Sequence, residues 1–486
     1  MSGPGIPGQG EEPAEAAPPP ATRVSSPALP TLPPLPTAPR PWLQRLAAAE
    51  LWLTLPALPV LILREVFPPG APALALAWLA GLWVLRRLAA GRWTRPTVLD
   101  APMLALLATL PGAIYVAGDR AAAFSRAQSL LAAMALAVAL ANSLRRPREA
   151  WRLAGLLLAG GLALVGIGLV GVDWLPKFAP LAWVTDRLPR LIHAVPHATL
   201  PIWGVAEQTQ IHPNSVAALL ILFLPLALGC LAATLGPPRG PADHAPPPWL
   251  RPLALAVLLG GGTLLLLTQS RGAWLALLLA LALMFQRRRR GLWWALGGGT
   301  ALAILLLVAL GSQRLTTLLP AGSAGGRLKL WRESAALLAD APLTGIGLNN
   351  FVIVHGRRPE YQGQFVYQGF PHAHNLLLQT ALDYGLPGLV AIAGLMVALA
   401  WAAWRTRQRL AGSPLSGLAL GLAFGLLAHA LHGAVDAICI GSKAGIVPWA
   451  FAGSLAGLRA AAGRWAREED ASAAGPQPHP AGPDVQ

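Results

Sequence analysis

Long apolar runs separated by short basic loops dominate the chain. They recur near 46–66, 71–89, 99–118, 122–143, 151–171, 213–235, 250–268, 271–286, 291–311, 375–404, 414–433 and 444–463. A helix rises about 1.5 Å per residue, so a run of about 20 residues matches the roughly 30 Å hydrocarbon core of a bilayer. The pattern predicts twelve membrane-spanning helices. In lipid, backbone polar groups must be satisfied within the protein, so the predicted fold is an all-α, polytopic helical bundle. The run 271–286 is short and begins within the preceding loop, and 375–404 is long enough to include an interfacial stretch.

The polar segments divide this frame. Residues 1–41 form a tail rich in Pro, Ala, Gly and Ser, and 465–486 form a similar one. Such composition buries too little apolar surface to offset chain entropy, so both are expected to be disordered. The first tail lacks the basic start, short apolar core and cleavage site of a signal peptide. With a cytoplasmic N-terminus, the inner loops carry Arg86, Arg87, Arg92 and Arg95; Arg145, Arg146 and Arg148; Arg239; the arginines at 287–290; and Arg405, Arg407 and Arg409. The last span ends near Arg464 and Arg467. That alternation obeys the positive-inside rule, and gaining or losing one span would invert half of it.

Two long outer loops follow, about 172–212 and 312–373, with a short outer turn at 268–271. The larger loop is expected to hold a helix. Gly325 and Gly326 precede it, Leu328, Trp331, Ala335 and Leu338 form an apolar stripe, and Pro342 ends it. Such a helix lies on the membrane surface or across the top of the bundle.

Composition agrees with a membrane protein. Hydrophobic residues make up 55% of the 486 and charged residues 12%, about half the share usual in soluble domains. The net charge of +16 comes mostly from arginine in the loops between spans, so orientation explains it and nucleic acid is not expected as a partner. Cys230 and Cys439 fall in or near spans and read as small packing residues.

A few polar residues at span ends carry the candidate chemistry. Arg271 opens the eighth run from a tight turn on the outer side, where arginine is scarce. Arg327 opens the loop helix, where a cation opposes the macrodipole. An anion bound there would reverse that penalty, held by the helix amides and the guanidinium together. His374 begins the tenth run, and imidazole titrates in the range of a general base. His372 is a near-equal candidate, and Asn375 is positioned to orient the ring. His212 and Asn214 begin the sixth run, and Glu207 is a loop carboxylate. His429, His432 and Asp436 have ligand-like helical spacing, but the nearby Gly433 and loop-like sequence favour a hydrogen-bonded cluster over a metal site. There is no Asp-X-Asp pair and no Gly-rich phosphate loop, which argues against a metal-dependent nucleotide-sugar site and against ATP hydrolysis.

These residues resemble a family. His374-Asn375, nine residues, then Gly385 and Gly388 is similar to a motif of the bacterial O-antigen ligase and O-antigen polymerase family of membrane glycosyltransferases. Ser270-Arg271-Gly272 matches its arginine turn. Gly326-Arg327 with Trp331, then Pro342-Leu-Thr-Gly-Ile-Gly347 and Phe351, matches its large outer loop. His212-Pro-Asn214 and the region of His432 and Asp436 also look familial. The likeness covers roughly 205–460, within a transmembrane domain spanning 42–464, and the Pro-rich first tail departs from the pattern. It implies a GT-C-like bundle in the bacterial cytoplasmic (inner) membrane. It also implies inverting transfer of a glycan from an undecaprenyl-diphosphate carrier to an acceptor hydroxyl on a glycan, lipid or protein, on the outer side, with no metal or other cofactor. Arg271 and Arg327 would bind the diphosphate and His374 would be the base.

Polymerisation by the same site is the near alternative. A polysaccharide or lipid transporter or flippase is the distant one. Transporters place ionisable residues near the midplane, often in related halves. Here the candidates gather at the outer face and no internal repeat is visible.

Overall fold

The computed structural model describes residues 41–172, 174, 187, 211–236, 244–285, 324–358 and 372–473. The predicted span 291–311, Glu207, Arg239, the arginines at 287–290, residues 312–323 and 359–371 of the large loop, and the segments 1–40 and 474–486 lie outside them.

Among the described residues the chain is all-helical, apart from one isolated bridge between Val172 and Ile211. The other eleven predicted runs all fall on helices. Seven of these are long and apolar enough to cross a membrane: Ala71–Ala90, Arg120–Ser143, Pro147–Gly171, Pro213–Leu235, Leu250–Leu267, Leu376–Arg409 and Leu415–Gly433. The protein is therefore a polytopic helical membrane protein.

The departures from expectation are physical. The first run is broken into Pro41–Ala48, Glu50–Thr54 and Ala57–Ile62, with a 65° bend after the first piece, and makes an eighth span only if counted as one. Asp100–Tyr115 and Arg271–Phe285 are apolar but short, about 24 Å and 22 Å at helical rise. Ile446–Ala473 continues through 465–473, residues the sequence assigns to a disordered tail.

Two helices are central: Arg120–Ser143 and Pro213–Leu235 have most of their apolar length buried in protein. Asp119 caps the first, its Oδ1 accepting from the Ala122 amide at 2.9 Å. His212 caps the second, with Pro213 at its first position. Glycine sets how closely these helices are approached. A Cβ at Gly453 would lie 2.3 Å from the Ala137 carbonyl oxygen, and one at Gly457 would lie 2.7 Å from the Ala141 Cα. Gly417, Gly421 and Gly425 pack on Pro213–Leu235 in the same way, and a Cβ at Gly229 would lie 2.2 Å from the Gly417 carbonyl oxygen. Small residues four apart let helices meet backbone to backbone, where lipid offers no hydrophobic drive to association. The outward faces carry Leu74, Leu259, Val390 and Val397, each at least 70% exposed, as a lipid-facing surface requires.

The long helix Leu376–Arg409 is kinked at Gly385, whose φ is +72°. The kink receives the loop after the large-loop helix: Ile346 N–H donates to the Leu382 carbonyl and Leu386 N–H to the Pro342 carbonyl, both at 2.8 Å. That helix, Ala324–Asp340, ends before Pro342 as expected, but its buried face is not the predicted stripe. Leu330 and Leu337 are buried against Phe351, Ala373 and Leu382, whereas Leu328 and Ala335 are exposed. The helix crosses the start of Leu376–Arg409, beside the His372–Asn375 turn.

Candidate functional site

The starts of Pro213–Leu235, Arg271–Phe285 and Ala324–Asp340 and the turn after Leu415–Gly433 meet at one end of the bundle. A cavity of ≈ 230 Å³ opens there, lined by His212, Asn214, Arg271, Arg327, His432 and Asp436, with Gln269, Ser270, Gly272 and Val435. Six of the predicted site residues thus share one space, contributed by four separate helices or their flanking turns. Gly272 lets His432 and Val435 approach, since a Cβ there would lie 2.9 Å from Val435.

His374 joins the cavity through Asp436. Its Nδ1 lies 3.0 Å from Asp436 Oδ1. An ionised carboxylate only accepts, so this nitrogen donates and Nε2 carries the lone pair. Asp436 is fully engaged: Oδ1 also accepts from the Ala437 amide, and Oδ2 accepts from Asn214 Nδ2, both at 2.9 Å. Burial works against its charge, but the His374 hydrogen bond and the nearby His374, His372 and His432 outweigh it, holding the carboxyl well below its usual range.

His372 plays a different part. Its Nδ1 accepts from the His374 amide at 3.1 Å, and the two rings lie 4.4 Å apart. Burial, then the neighbouring His374, Arg126 and His212, push it down to about 4, against an upward pull from Asp436. It is therefore a neutral acceptor that shapes the turn. Asn375 does not reach the imidazole as expected. Its side chain caps Leu376–Arg409 by accepting from the Leu378 amide and donates to the Ala434 carbonyl, both at 3.0 Å. Trp331 does not line the cavity, and its indole N–H is buried without a partner among the described residues.

The turn is strained. Among the described residues, the non-glycine residues with positive φ are Gln269 at 53°, Asn349 at 59° and His374 at 47°. All three are at this end. Left-handed backbone is costly for such residues and is kept only where its surroundings fix it.

Sequence reasoning missed the network that fixes it. Arg126 Nη2 donates to Asn349 Oδ1 at 2.6 Å, and the Asn349 amide donates to Asp383 Oδ1 at 3.2 Å. Gln379 Nε2 donates to the same oxygen at 3.0 Å, while Gln379 Oε1 accepts from the Ala373 amide at 2.8 Å. The chain of bonds ends on the residue between the two histidines. The signal was a polar i, i+4 pair, Gln379 and Asp383, inside an otherwise apolar span.

The metal-ligand spacing of His429, His432 and Asp436 is not realised as one cluster: His429 Nδ1 lies 2.9 Å from the Ala218 carbonyl oxygen. Among the described residues, the group that could hold a cation is His372, His374 and Asp436, with ligand atoms within 4.8 Å of one another. The three residues are already joined by the His374 Nδ1–Asp436 Oδ1 bond and by the bond from the His374 amide to His372 Nδ1. Cys439 is buried, which pushes its thiol up to about 11 and leaves it a packing residue.

A second cavity of ≈ 410 Å³ is almost wholly apolar. It runs between Leu376–Arg409, Leu415–Gly433 and Ile446–Ala473, from Leu376 and Ile438 near the His374 turn to Trp404 and Arg407 at the other end.

Residues 254–393 match the family described as O-antigen ligase. The match covers less than a third of the chain, and this part is similar to the O-antigen ligase family. It contains Arg271, Arg327, His374, Gly385 and Gly388; His212, Asn214, His432 and Asp436 lie outside it and complete the cavity. No curated protein matches the chain.

Proposed function

We propose that this protein transfers a glycan from an undecaprenyl-diphosphate carrier to an acceptor hydroxyl, inverting the anomeric centre, on the outer side of the cytoplasmic membrane. The bundle would comprise about twelve spans, with the predicted 291–311 helix included and both termini cytoplasmic. One observation carries the reading: Arg271 and Arg327 share a cavity with Asp436, and Asp436 holds His374. Two guanidiniums suit the diphosphate leaving group, whose charge grows as the sugar departs.

The steps follow from the groups. The acceptor hydroxyl loses its proton to His374 Nε2 while its oxygen bonds to the anomeric carbon. The bond from that carbon to the phosphate oxygen breaks on the opposite side, and its electrons leave with the diphosphate toward Arg271 and Arg327. Asp436 stabilises the imidazolium that forms, through the hydrogen bond at Nδ1. Hydrogen bonds already engage both carboxylate oxygens of Asp436 and Nδ1 of His372 and of His374, which leaves Nε2 of His374 as the proton acceptor in this reading. The apolar cavity beginning at Leu376 offers the carrier's polyprenyl tail a path beside the reacting end. Transport would need charges spread through the membrane depth; the three residues lie instead at helix starts on one side.

The test is transfer in vitro from a carrier-linked glycan, with lipid, protein and carrier-linked acceptors compared. Wild type is expected to act and an Arg271→Ala/His374→Ala variant to lose activity while remaining folded. Retained transfer by that variant would refute the reading. Elongation of carrier-linked glycan alone would make the protein a polymerase.

A further inference from the structure

The opposite end of Arg120–Ser143 holds a second polar cavity, also ≈ 230 Å³. Arg86, Arg92, Arg95 and Arg145 line it with Gln44, and no carboxylate does. The carboxylates nearby are already engaged. Glu50 is buried in an ion pair with Arg86 and accepts from Asn142 Nδ2. Glu149 accepts from the amides of Arg145 and Arg146, and Asp100 from Thr97.

The positive-inside rule explains why arginines collect at this end, but it requires only that they reach water. These do not all reach it. Arg86 is 5% exposed, and its Nε and the Nη1 of Arg95 are buried with no hydrogen-bond partner among the described residues. A guanidinium N–H stripped of water and left unpaired costs more than a neutral one. At Arg95 burial, then the neighbouring Arg464, Arg145 and Arg92, push the guanidinium down to about 10, against an upward pull from Glu149. Four arginines line one cavity, Glu50 offsets only Arg86, and two buried donors are unused, so the site carries more positive charge than its carboxylate balances. Planar N–H forks match tetrahedral oxyanions, and the space far exceeds the roughly 10–15 Å³ that one water needs. Trp42 and Trp93, close in sequence to the lining residues Gln44 and Arg92, are each more than half exposed, as tryptophan at a lipid–water boundary is.

We propose that Arg86, Arg92, Arg95 and Arg145 bind a phosphate group at the end of the bundle opposite His374. The phosphate belongs to an anionic phospholipid headgroup or to a soluble phosphate; the chemistry at the guanidiniums is the same. Basic pockets between helices on this side suit such headgroups. The site stands apart from the glycan-transfer reading and does not depend on it.

The experiment uses the full chain in phosphatidylcholine vesicles and reads its thermal unfolding midpoint. Phosphatidylglycerol is added to the vesicles in one arm and inorganic phosphate to the buffer in another, with sodium chloride matching ionic strength throughout. Wild type is expected to gain stability in at least one arm, and an Arg92→Gln/Arg95→Gln variant, which keeps the Arg86–Glu50 pair, to lose that gain. A gain with phosphatidylglycerol alone assigns the lipid source; a gain with phosphate alone assigns the soluble one. Should the double variant not fold, Arg92→Gln and Arg145→Gln are tested singly under the same rule. No gain in either arm, or equal gains in wild type and variants, overturns the proposal.

Discussion

The two ends of the Arg120–Ser143 helix both gather arginine, yet in opposite company. At one end Arg271 and Arg327 face histidines and an aspartate whose every oxygen is bonded. At the other, four arginines line one cavity, and the one carboxylate paired with them, Glu50, engages Arg86 alone. Residue type alone does not separate these situations. On the proposed function, a base, an orienting carboxylate and cations together make the first a place for bond cleavage, whereas cations without a base make at most a place for binding. The comparison breaks most sharply at single arginines. Arg271→Ala is expected to lower transfer roughly 10²–10³-fold, the usual loss when one stabiliser of a developing anion is removed. Arg148→Gln, at the exposed opposite end, should leave transfer unchanged. Initial rates with a carrier-linked glycan check both, and equal losses would erase the distinction between the ends.

The orienting carboxylate sharpens it next. In Asp436→Asn the amide can still meet His374 and Asn214, but it carries no charge to stabilise an imidazolium. The expected loss is about 10²-fold in kcat, within the usual contribution of general-base catalysis, with KM little changed. Asn375→Ala should instead lower thermal stability by about 1 kcal/mol, the usual cost of a lost helix cap, and alter kcat far less. If kcat falls equally in both, Asn375 rather than Asp436 governs the ring.

Sequence gave away the helices but not how they pack. An apolar run is legible because lipid demands it, and eleven of the twelve runs fall on described helices. Which face turns inward is not legible the same way, because lipid and protein interior are equally apolar. Arg120–Ser143 has most of its length buried yet shows no apolar stripe; its Ala-rich surface, packed on Gly453 and Gly457, is what admits its neighbours. The same ambiguity put Leu328 and Ala335 on the wrong face of the loop helix. At the site, the individual residues Arg271, Arg327, His374, His212, Asn214, His432 and Asp436 were legible as polar groups at span ends. The pairing of His374 with Asp436 was not, since 62 residues separate them and only the return of Leu415–Gly433 joins them. Arg126, Gln379 and Asp383 were hidden because a polar residue within a span reads first as an interruption.

Glycine contrasts two parts of one helix. Gly385 has φ +72°, and a Cβ there would lie 2.0 Å from the Leu343 carbonyl oxygen. Gly394, one helix stretch further on, has nothing within 4 Å. Gly385→Ala must strain the backbone and push the 342–347 loop away, at a cost on the order of 1–3 kcal/mol. Transfer should fall with stability, because that loop ties the Arg327 helix to the His374 turn. Gly394→Ala should be neutral or slightly stabilising, as alanine is in a helix. Thermal unfolding in one detergent compares the pair. A neutral Gly385→Ala would mean that the kink serves no such tie.

The smallest effect separates the two histidines of the turn by pH. His372, with its ring pushed down to about 4, stays neutral where an unfolded chain's histidine, near 6.5, takes a proton. The unfolded state then binds more protons between pH 6.5 and 4, so this residue's contribution to stability is present above that window and lost as pH falls through it. Asp436 is held below its ordinary 3.8, so its contribution persists through the same window and fails only at lower pH. Protonating His372 at Nδ1 removes the acceptor of the His374 amide. Exchange of that amide with solvent should therefore quicken, relative to neighbouring amides, as pH falls from 6.5 to 4, and His372→Gln should abolish the pH dependence. Exchange that stays flat in wild type would show that the His372 acceptor does not hold the turn, leaving the Gln379–Ala373 bond to do so alone.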